Sequence, residues 1–525
     1  MNSKSLDVLI VHPNFSGVYG ELAKKGFPAI EPPFPAAVSA DFYRNQGHGV
    51  AILDANLERL SPEETAQRIK NYNPKLVSII GHGQQPSDST HMMHAIGEVS
   101  QLVDGEYPII LSGNHASALP ERTLRETPGL KFVAIGEEHR VVDALLQSGL
   151  NSNNFAEIPG LAYIDNGEFH DSRKSIGTFP LANLNNELLG VAWDLLPDLK
   201  NYRAHNWHAY FDDEDRSPYA SIYTSLGCPF KCGFCVINVG YDQSGKRDIR
   251  YWDSDNMIKK IDDIAEKGVK HVKFIDEMFV LESKGEDKRD INKFLDRMIE
   301  RDYKFNIWAY ARIDTVKNQK MLDRLKAAGV NWLVLGIESA NADVRKDSRK
   351  GGFSNDKIDE HVRNVRNAGI HILGNYMVGL PNDTLDTMQE TFDMVMKYRE
   401  ETLWMNVYSA VAYPGTPDHA MALQKGIISK DYPTKEQGGW NVYAHHHKSF
   451  SPTGNENLTP EESLRFRDNM FNAYFSDRTY LEFVRRQFGD NAVAHLESMT
   501  KTKLQRDVYK NPEVLQRVDN LRCFK

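Results

Sequence analysis

The sequence predicts an α/β protein made of two parallel sheets and a helical tail, on three observations. At 525 residues the chain is too long for one ordinary core. Short apolar runs alternate with amphipathic segments over residues 1–150 and again over 218–420, the rhythm of βαβ units. Nearly every run gives way at its carboxyl end to Gly, Ser, Asn, His, Asp or Glu, where such sheets put their ligands. The first stretch is therefore expected to be a doubly wound, Rossmann-like domain and the second a partial, TIM-like (β/α)6 barrel. Residues 151–217 are expected to form a linker with a small hairpin, and 421–525 a mainly helical region.

In the first domain, Val8 to Val11, Val50 to Leu53, Leu76 to Ile80, Tyr107 to Leu111 and Phe132 to Ile135 are the five strands. Helices are expected from Pro35 to Gln46, Pro62 to Asn71, about Ser89 to Leu102, and Arg140 to Gln147. Ser61 followed by Glu64 forms a capping box for the second of these. The strand ends carry His12 and Asn14; Gly81, His82, Gln84 and Gln85; Ser112, Gly113, Asn114 and His115; and Gly136 and Glu137. No GxGxxG follows the first strand, so a dinucleotide fingerprint is missing.

The linker holds a hairpin, Leu161 to Ile164 and Glu168 to Phe169 around Asp165-Asn166-Gly167. The barrel strands are Ala220 to Thr224, His271 to Ile275, Phe305 to Tyr310, Trp332 to Ile337, Ile370 to Val378 and Trp404 to Val411. They end in Asp276 and Glu277, Arg312, Glu338 and Ser339, Gly379, and Tyr413 to Gly415. The tail's clearest helix runs from Thr459 to Phe475 and is expected to close the barrel's open side. His445, His446 and His447 are consecutive and cannot share one face, so one pocket-lining imidazole is expected there rather than a metal triad.

Hydrophobic and charged contents of 41% and 26% are those of a globular protein. A net charge of −9 argues against a broad polyanion-binding face, so nucleic acid is not an expected partner. No apolar run nears the roughly 20 residues that span a bilayer, and a cytoplasmic protein is expected.

The chain's chemistry centres on GCPFKCGFC, Gly227 to Cys235, which gathers Cys228, Cys232 and Cys235, three of 4 cysteines, in one short loop. Spacings of three and then two residues suit thiolates converging on one face of an iron–sulfur cluster, leaving one iron open to a chelating small molecule. A structural zinc is the alternative, with His205 or His208 as the fourth ligand. Disulfide pairing fits poorly with so few cysteines. Cys523 stands alone near the C-terminus and is expected to be an incidental thiol.

This loop resembles the cluster motif of the radical S-adenosylmethionine (SAM) enzymes, including the aromatic Phe234 before the last cysteine. The resemblance implies a 4Fe–4S cluster on Cys228, Cys232 and Cys235, with SAM chelating the open iron and Phe234 near its adenine. FIDEMF, Phe274 to Phe279, resembles the segment that contacts the methionyl amine, which brings in Asp276 and Glu277. By the same likeness, GIES assigns Glu338 and Ser339 to the ribose or methionyl end, and YARID assigns Arg312 to the methionyl carboxylate. GNYMVGLPNDT, opening at Gly374, resembles the turn beneath the adenine, and YPGTP the sixth-strand ending.

The first domain resembles the cobalamin-binding domain that precedes this core in one branch of the family, through Ser78, LSGNHASALPE from Leu111 and IGEEH from Ile135. The resemblance places cobalamin against His12, Asn14, Ser78, Gly81, His82, Ser112, Gly113, Asn114, His115, Gly136 and Glu137, with Gln84 or Gln85 under the corrin. Gly113 would let the nucleotide tail approach, and Ser78 would line its pocket. The DxHxxG that supplies a cobalt-ligating histidine in many cobalamin proteins is absent, since VHPNF follows the first strand. The cofactor's base is thus expected to be displaced without a histidine replacing it, and His12, His82 and His115 to be pocket residues.

What the resemblance implies is a cobalamin-dependent radical SAM methyltransferase. SAM is cleaved to a 5′-deoxyadenosyl radical, the radical takes a substrate hydrogen, and methylcobalamin delivers a methyl group to an unactivated carbon or a phosphinate phosphorus. A small-molecule or peptide substrate and an electron donor such as flavodoxin or ferredoxin are the expected partners. Ring formation or rearrangement without methyl transfer, and a non-catalytic cofactor sensor, are the alternatives.

Overall fold

The computed structural model describes residues 6–20, 22, 26, 28–83, 85–176, 184–241, 249–281 and 290–524; Gln84 lies outside the described residues. The first sheet contains β1 (Val8–His12), β2 (Val50–Asp54), β3 (Leu76–Ile80), β4 (Ile109–Ser112), β5 (Leu130–Ala134), β6 (Leu161–Asp165) and β7 (Glu168–Asp171), in the order β2-β1-β3-β4-β5-β6-β7. The first five are parallel. Because helices cover both faces, β1 and β3 are buried along their whole length and carry continuous apolar runs. Val8 and Ile10 enter one core and Leu9 and Val11 the other, as strand alternation requires. The strand order reverses between β1 and β3, which opens a crevice at their carboxyl ends.

Three features differ from the sequence expectation. The hairpin β6–β7 belongs to the first sheet, with β6 antiparallel to β5, so the sheet runs past residue 150. The helix expected from Ser89 is two pieces, Asp88–His91 and Met93–Leu102. LSGNHASALPE folds as helices Asn114–Ala118 and Pro120–Glu126, broken at Leu119, whose φ of −129° and ψ of 54° reflect the clash that keeps a residue before proline out of the helical region.

The second sheet starts at β8 (Tyr219–Ile222), which leads into a short ladder of β9 (Ser225–Leu226) with β10 (Arg250–Tyr251). It continues through β11 (His271–Phe274), β12 (Asn306–Arg312), β13 (Val330–Glu338), β14 (His371–Val378) and β15 (Thr402–Ser409), all parallel, in the order β15-β14-β13-β12-β11-β8. This is the six-stranded partial barrel, open between β8 and β15. Helix Pro460–Phe475 packs on β15, and the hydroxyls of Tyr474 and Tyr480 donate to the carbonyls of Thr402 and Leu403 at 2.6 and 2.8 Å. Thr459 and Glu462 form that helix's capping box. On the β8 side, Ser221 Oγ donates to the carbonyl of Pro32 at 3.1 Å, tying the segment before helix Phe34–Asn45 to the barrel.

One apolar core runs from β1 and β3 through Trp193 and Tyr202 into the barrel around Trp308 and Trp332. Two large units thus share buried surface, which fixes the open ends of both sheets against each other. Among the described residues no helix is long and apolar enough to cross a membrane.

Candidate active site

The carboxyl ends of both sheets face one cavity of about 1070 Å3. From the first sheet it receives His12 at the end of β1 and Gly83, Gln85 and Asp88 after β3, the two strands flanking the strand-order reversal. From the barrel it receives the cysteine loop, Glu277 after β11, Arg312 on β12 and Glu338 on β13. The tail contributes His445 and His446, so the expected pocket-lining imidazole is a pair.

The cysteine loop is pinned from below. Asp276, fully buried, accepts from the backbone N–H of Thr224 at 3.0 Å, from Thr224 Oγ1 at 2.7 Å and from Ser225 Oγ at 2.5 Å. From the side, Gly233 N–H donates to the carbonyl of Ser348 at 2.9 Å. Cys228, Cys232 and Cys235 all face the cavity. Arg312 Nη1 lies 3.4 Å from Cys232 Sγ, and its guanidinium sits 3.9 Å over the ring of Phe230. Burial pushes the Cys228 thiol up to about 12 and Cys235 well above a thiol's ordinary value. Thiols held this way give up their protons only to a strong local positive charge, which an iron cluster supplies.

The zinc alternative loses its fourth ligand. His208 Nε2 is 2.9 Å from the carbonyl of Asn306, at the amino end of β12 and so at the far end of the barrel from the cysteines, while His205 stacks on Trp207 at 5.5 Å. Among the described residues no three His, Cys, Asp or Glu side chains form a group that could hold a single metal ion. Cys523 is apart from the loop, beside Asp393 and Gln389.

Of the residues expected at SAM, four face the cavity: Phe234, Glu277, Arg312 and Glu338. Glu277 Oε1 is buried without a hydrogen-bond partner, and burial together with neighbouring Asp276 raises its carboxyl to about 8. Arg312 is held by Asp314 at 2.9 and 3.0 Å. Glu338, at a left-handed φ of 68° that costs a non-glycine residue energy, pairs with Lys350 Nζ at 2.7 Å. The other three serve the scaffold. Asp276 spends its oxygens on the cysteine loop. Ser339 Oγ accepts from the backbone N–H of Asn341 at 3.1 Å and lies 3.3 Å from Thr391 Oγ1. Gly374 backs onto Tyr376, where a Cβ would come within 2.6 Å of the ring.

On the first-domain side, His12 and Gln85 face the cavity. Burial lowers the His12 imidazole's affinity for a proton against the pull of Asp54 and Asp88. Around them sit three buried polar atoms with no partner, Ser112 Oγ, Asn114 Oδ1 and His115 Nε2. Such orphans are rare in a finished interior and fit an amide-rich ligand threading into this sheet. Gly113, at φ 126°, is glycine because of the protein's own packing, since a Cβ would meet the carbonyl of Gly81 at 2.3 Å. A Cβ on Gly81 would likewise come within 2.6 Å of the carbonyl of Ser112.

The remaining expected contacts hold the loops. Asn14 Nδ2 donates to the carbonyl of Leu60 at 3.0 Å, and Gly136 N–H to Ser117 Oγ at 3.0 Å. His82 Nε2 lies 3.9 Å from Glu138, and Glu137 pairs with Arg250 across the domain junction. Ser78 is buried mid-strand in β3.

The B12 binding domain profile matches residues 26–146, and the Radical SAM superfamily profile matches residues 222–395. The chain joins a B12-binding domain to a radical SAM domain. Its cofactors are therefore a 4Fe–4S cluster, SAM and cobalamin. An uncharacterised methyltransferase of Pyrococcus horikoshii is 26% identical over 425 residues, covering 80% of this chain and 84% of the relative. The anaerobic magnesium-protoporphyrin IX monomethyl ester cyclase of Cereibacter sphaeroides is 24% identical, covering 78% of this chain and 62% of the cyclase. The radical SAM methyltransferase TsrM of Kitasatospora setae shares the fold with a TM-score of 0.63 at 15% identity, over 94% of this chain and 100% of that one. OxsB, a cobalamin-dependent radical enzyme, shares it at 0.66 and 15% identity, over 95% and 71%.

Around this cavity, sequence reasoning missed Lys350, Asp88 and His91, and the contact that His91 makes with Tyr413. Lys350 is 5% exposed and lines the cavity; burial works against its ammonium, and Glu338 more than offsets this, holding it above lysine's ordinary value. Its one signal in the sequence is a lysine beside two glycines after the fourth barrel strand. His91 Nε2 is 3.0 Å from the Tyr413 hydroxyl, and its Nδ1 3.5 Å from Asp88. That chain joins residues more than three hundred positions apart, so no local pattern could mark it.

Proposed function

We propose that the protein is a methyltransferase acting on an unactivated carbon, or a phosphinate phosphorus, of a small-molecule or peptide substrate. The observation that carries this reading is the single cavity joining the cysteine loop to the switch point of the B12-binding sheet. A substrate between them is within reach of both centres. Relatives named as methyltransferases, among them the bacteriochlorophyllide d C-8(2)-methyltransferase of Chlorobaculum tepidum, support methyl transfer. When bound, the cluster and SAM would supply the means to remove a substrate hydrogen and cobalamin would supply the methyl group, for two SAM and two electrons per turnover. A flavodoxin or ferredoxin supplies the electrons.

The protein's part is placement. Cys228, Cys232 and Cys235 would hold the cluster, with Arg312 Nη1 3.4 Å from the Cys232 sulfur. Glu277 receives the methionyl ammonium, whose charge draws off the proton that burial keeps on this carboxyl. Arg312 and Lys350, which line the cavity, would take the methionyl carboxylate, and Phe234 would pack against the adenine. Trp308, Tyr310 and Tyr408 wall the space beneath and keep water from the substrate.

Methyl-labelled SAM, supplied to reduced and reconstituted protein with its substrate, should leave its label in the product with one 5′-deoxyadenosine per methyl. Unlabelled product with 5′-deoxyadenosine would establish the second reading, ring formation, which the likeness to the magnesium-protoporphyrin cyclase supports. Absence of SAM cleavage refutes both.

A further inference from the structure

The cations around the cavity are already spoken for. Below the cysteine loop, Lys273 Nζ on β11 lies 3.0 and 3.2 Å from the carboxylate of Glu31, which also accepts from the Tyr219 hydroxyl at 3.2 Å. Lys350 pairs with Glu338 at 2.7 Å, and Arg312 with Asp314 at 2.9 Å. On the tail helix, Arg467 pairs with Asp468 at 2.9 Å and Arg465 with Asp519 at 2.6 Å. Among the described cavity-lining residues the cations without a carboxylate are Lys501 and Lys503, exposed at the outer rim. With SAM in place Arg312 and Lys350 carry its carboxylate as well, so a substrate anion in the lumen would have to draw Lys273 from the nearly buried Glu31, which is strongly unfavourable.

The uncharged groups are arranged differently. Trp308 and Tyr310 pack at 5.0 Å, and Tyr408 and His445 at 5.4 Å, presenting flat apolar walls. Among the described residues the hydroxyls of Tyr310 and Tyr408, which line the cavity, make no hydrogen bond. Asn406 Nδ2 donates to Asn375 Oδ1 at 2.8 Å and its Oδ1 accepts from Trp404 Nε1 at 3.0 Å, so Asn375 has its own Nδ2 to offer the lumen. Rings with unspent donors at their edges suit a planar ligand that carries neutral carbonyl, amide or ring-nitrogen groups.

We infer that the lumen admits an uncharged, flat, hydrogen-bonding group, of the heteroaromatic or aryl-amide class, as the part of the substrate that is methylated. Carboxylates, phosphates and phosphinates stay outside. This rests on the proposed methyl transfer and narrows it to carbon.

The test uses probes of one shape and two charges. Holoenzyme reconstituted with cluster and cobalamin is dialysed to equilibrium at pH 7 against 2-naphthamide, 2-naphthoate and phenylphosphinate. The amide should bind at least about tenfold more tightly than either anion. Glu31→Gln, which strips Lys273 of its carboxylate, should narrow that gap by improving 2-naphthoate binding. Equal or tighter binding of either anion to the unsubstituted protein overturns the inference, as does failure of the amide to bind. Iron and cobalt are assayed on the same sample: a protein lacking either fails the proposed function, whereas a loaded protein preferring anions fails this inference alone.

Discussion

Asp276 and Glu277 are adjacent carboxylates with opposite duties, because successive residues leaving a strand point to opposite sides. Asp276 turns into the scaffold and accepts from Thr224 and Ser225; Glu277 turns into the cavity with an unpartnered Oε1. The sequence marks the pair but not which member meets the ligand, since the acceptors' partners lie some fifty residues away. Asp276→Asn should therefore lower cluster content and cost about 2 kcal/mol or more of stability, read by iron assay and thermal melting. Glu277→Gln should keep its iron and lose SAM affinity, read by binding of SAM to the reconstituted protein.

Histidines govern the acid side of stability. Burial lowers His115, His205 and His446 to about 3, and lowers His12, His82 and His208 as well. Below an unfolded value near 6.5 the unfolded chain takes up protons that the fold refuses, so stability falls as pH drops. The slope is about 1.4 kcal/mol per pH unit for each such group. Asp383 and Asp418, raised to about 6, and Glu277, raised to about 8, oppose this and are outnumbered. The urea midpoint of the apoprotein should be lower at pH 5.5 than at pH 7; an unchanged midpoint would show these imidazoles to be solvated.

At the level of elements, the strands and caps were legible because their causes are local. Apolar runs with alternate-face packing gave all six barrel strands, and Ser61 with Glu64 closes the expected capping box. What escaped was pairing at long range, since β6 joins β5, and the folding of the segment from Gly113 to Glu126 into two short helices. Gly113 shows how tight that loop is. Gly113→Ala sets a Cβ against the carbonyl of Gly81 at a left-handed φ, and should cost about 3 kcal/mol or more together with cobalamin uptake. Gly97→Ala, in the middle of helix Met93–Leu102 with open space at its Cβ position, should instead stabilise by up to about 1 kcal/mol. Thermal melts and cobalt content distinguish the two outcomes.

For the whole molecule, domain order was readable from motifs, whereas the junction was not, because it is made by single residues far apart in sequence. Arg122 donates to the carbonyls of Tyr432, Asp431 and Pro433 at 2.7, 3.1 and 3.0 Å and lies 4.6 Å over Trp440, clamping the tail onto the B12-binding domain. With the Arg250–Glu137 pair and the shared apolar core, this sets the carboxyl ends of both sheets on one cavity. Two unpaired spins within a cavity of about 1070 Å3 must feel each other. Electron paramagnetic resonance of the reconstituted protein, with cobalamin as cob(II)alamin and the cluster reduced, should show a cobalt signal split or broadened by the cluster. A spectrum equal to the simple sum of the two separate signals would place the centres apart and contradict the shared site.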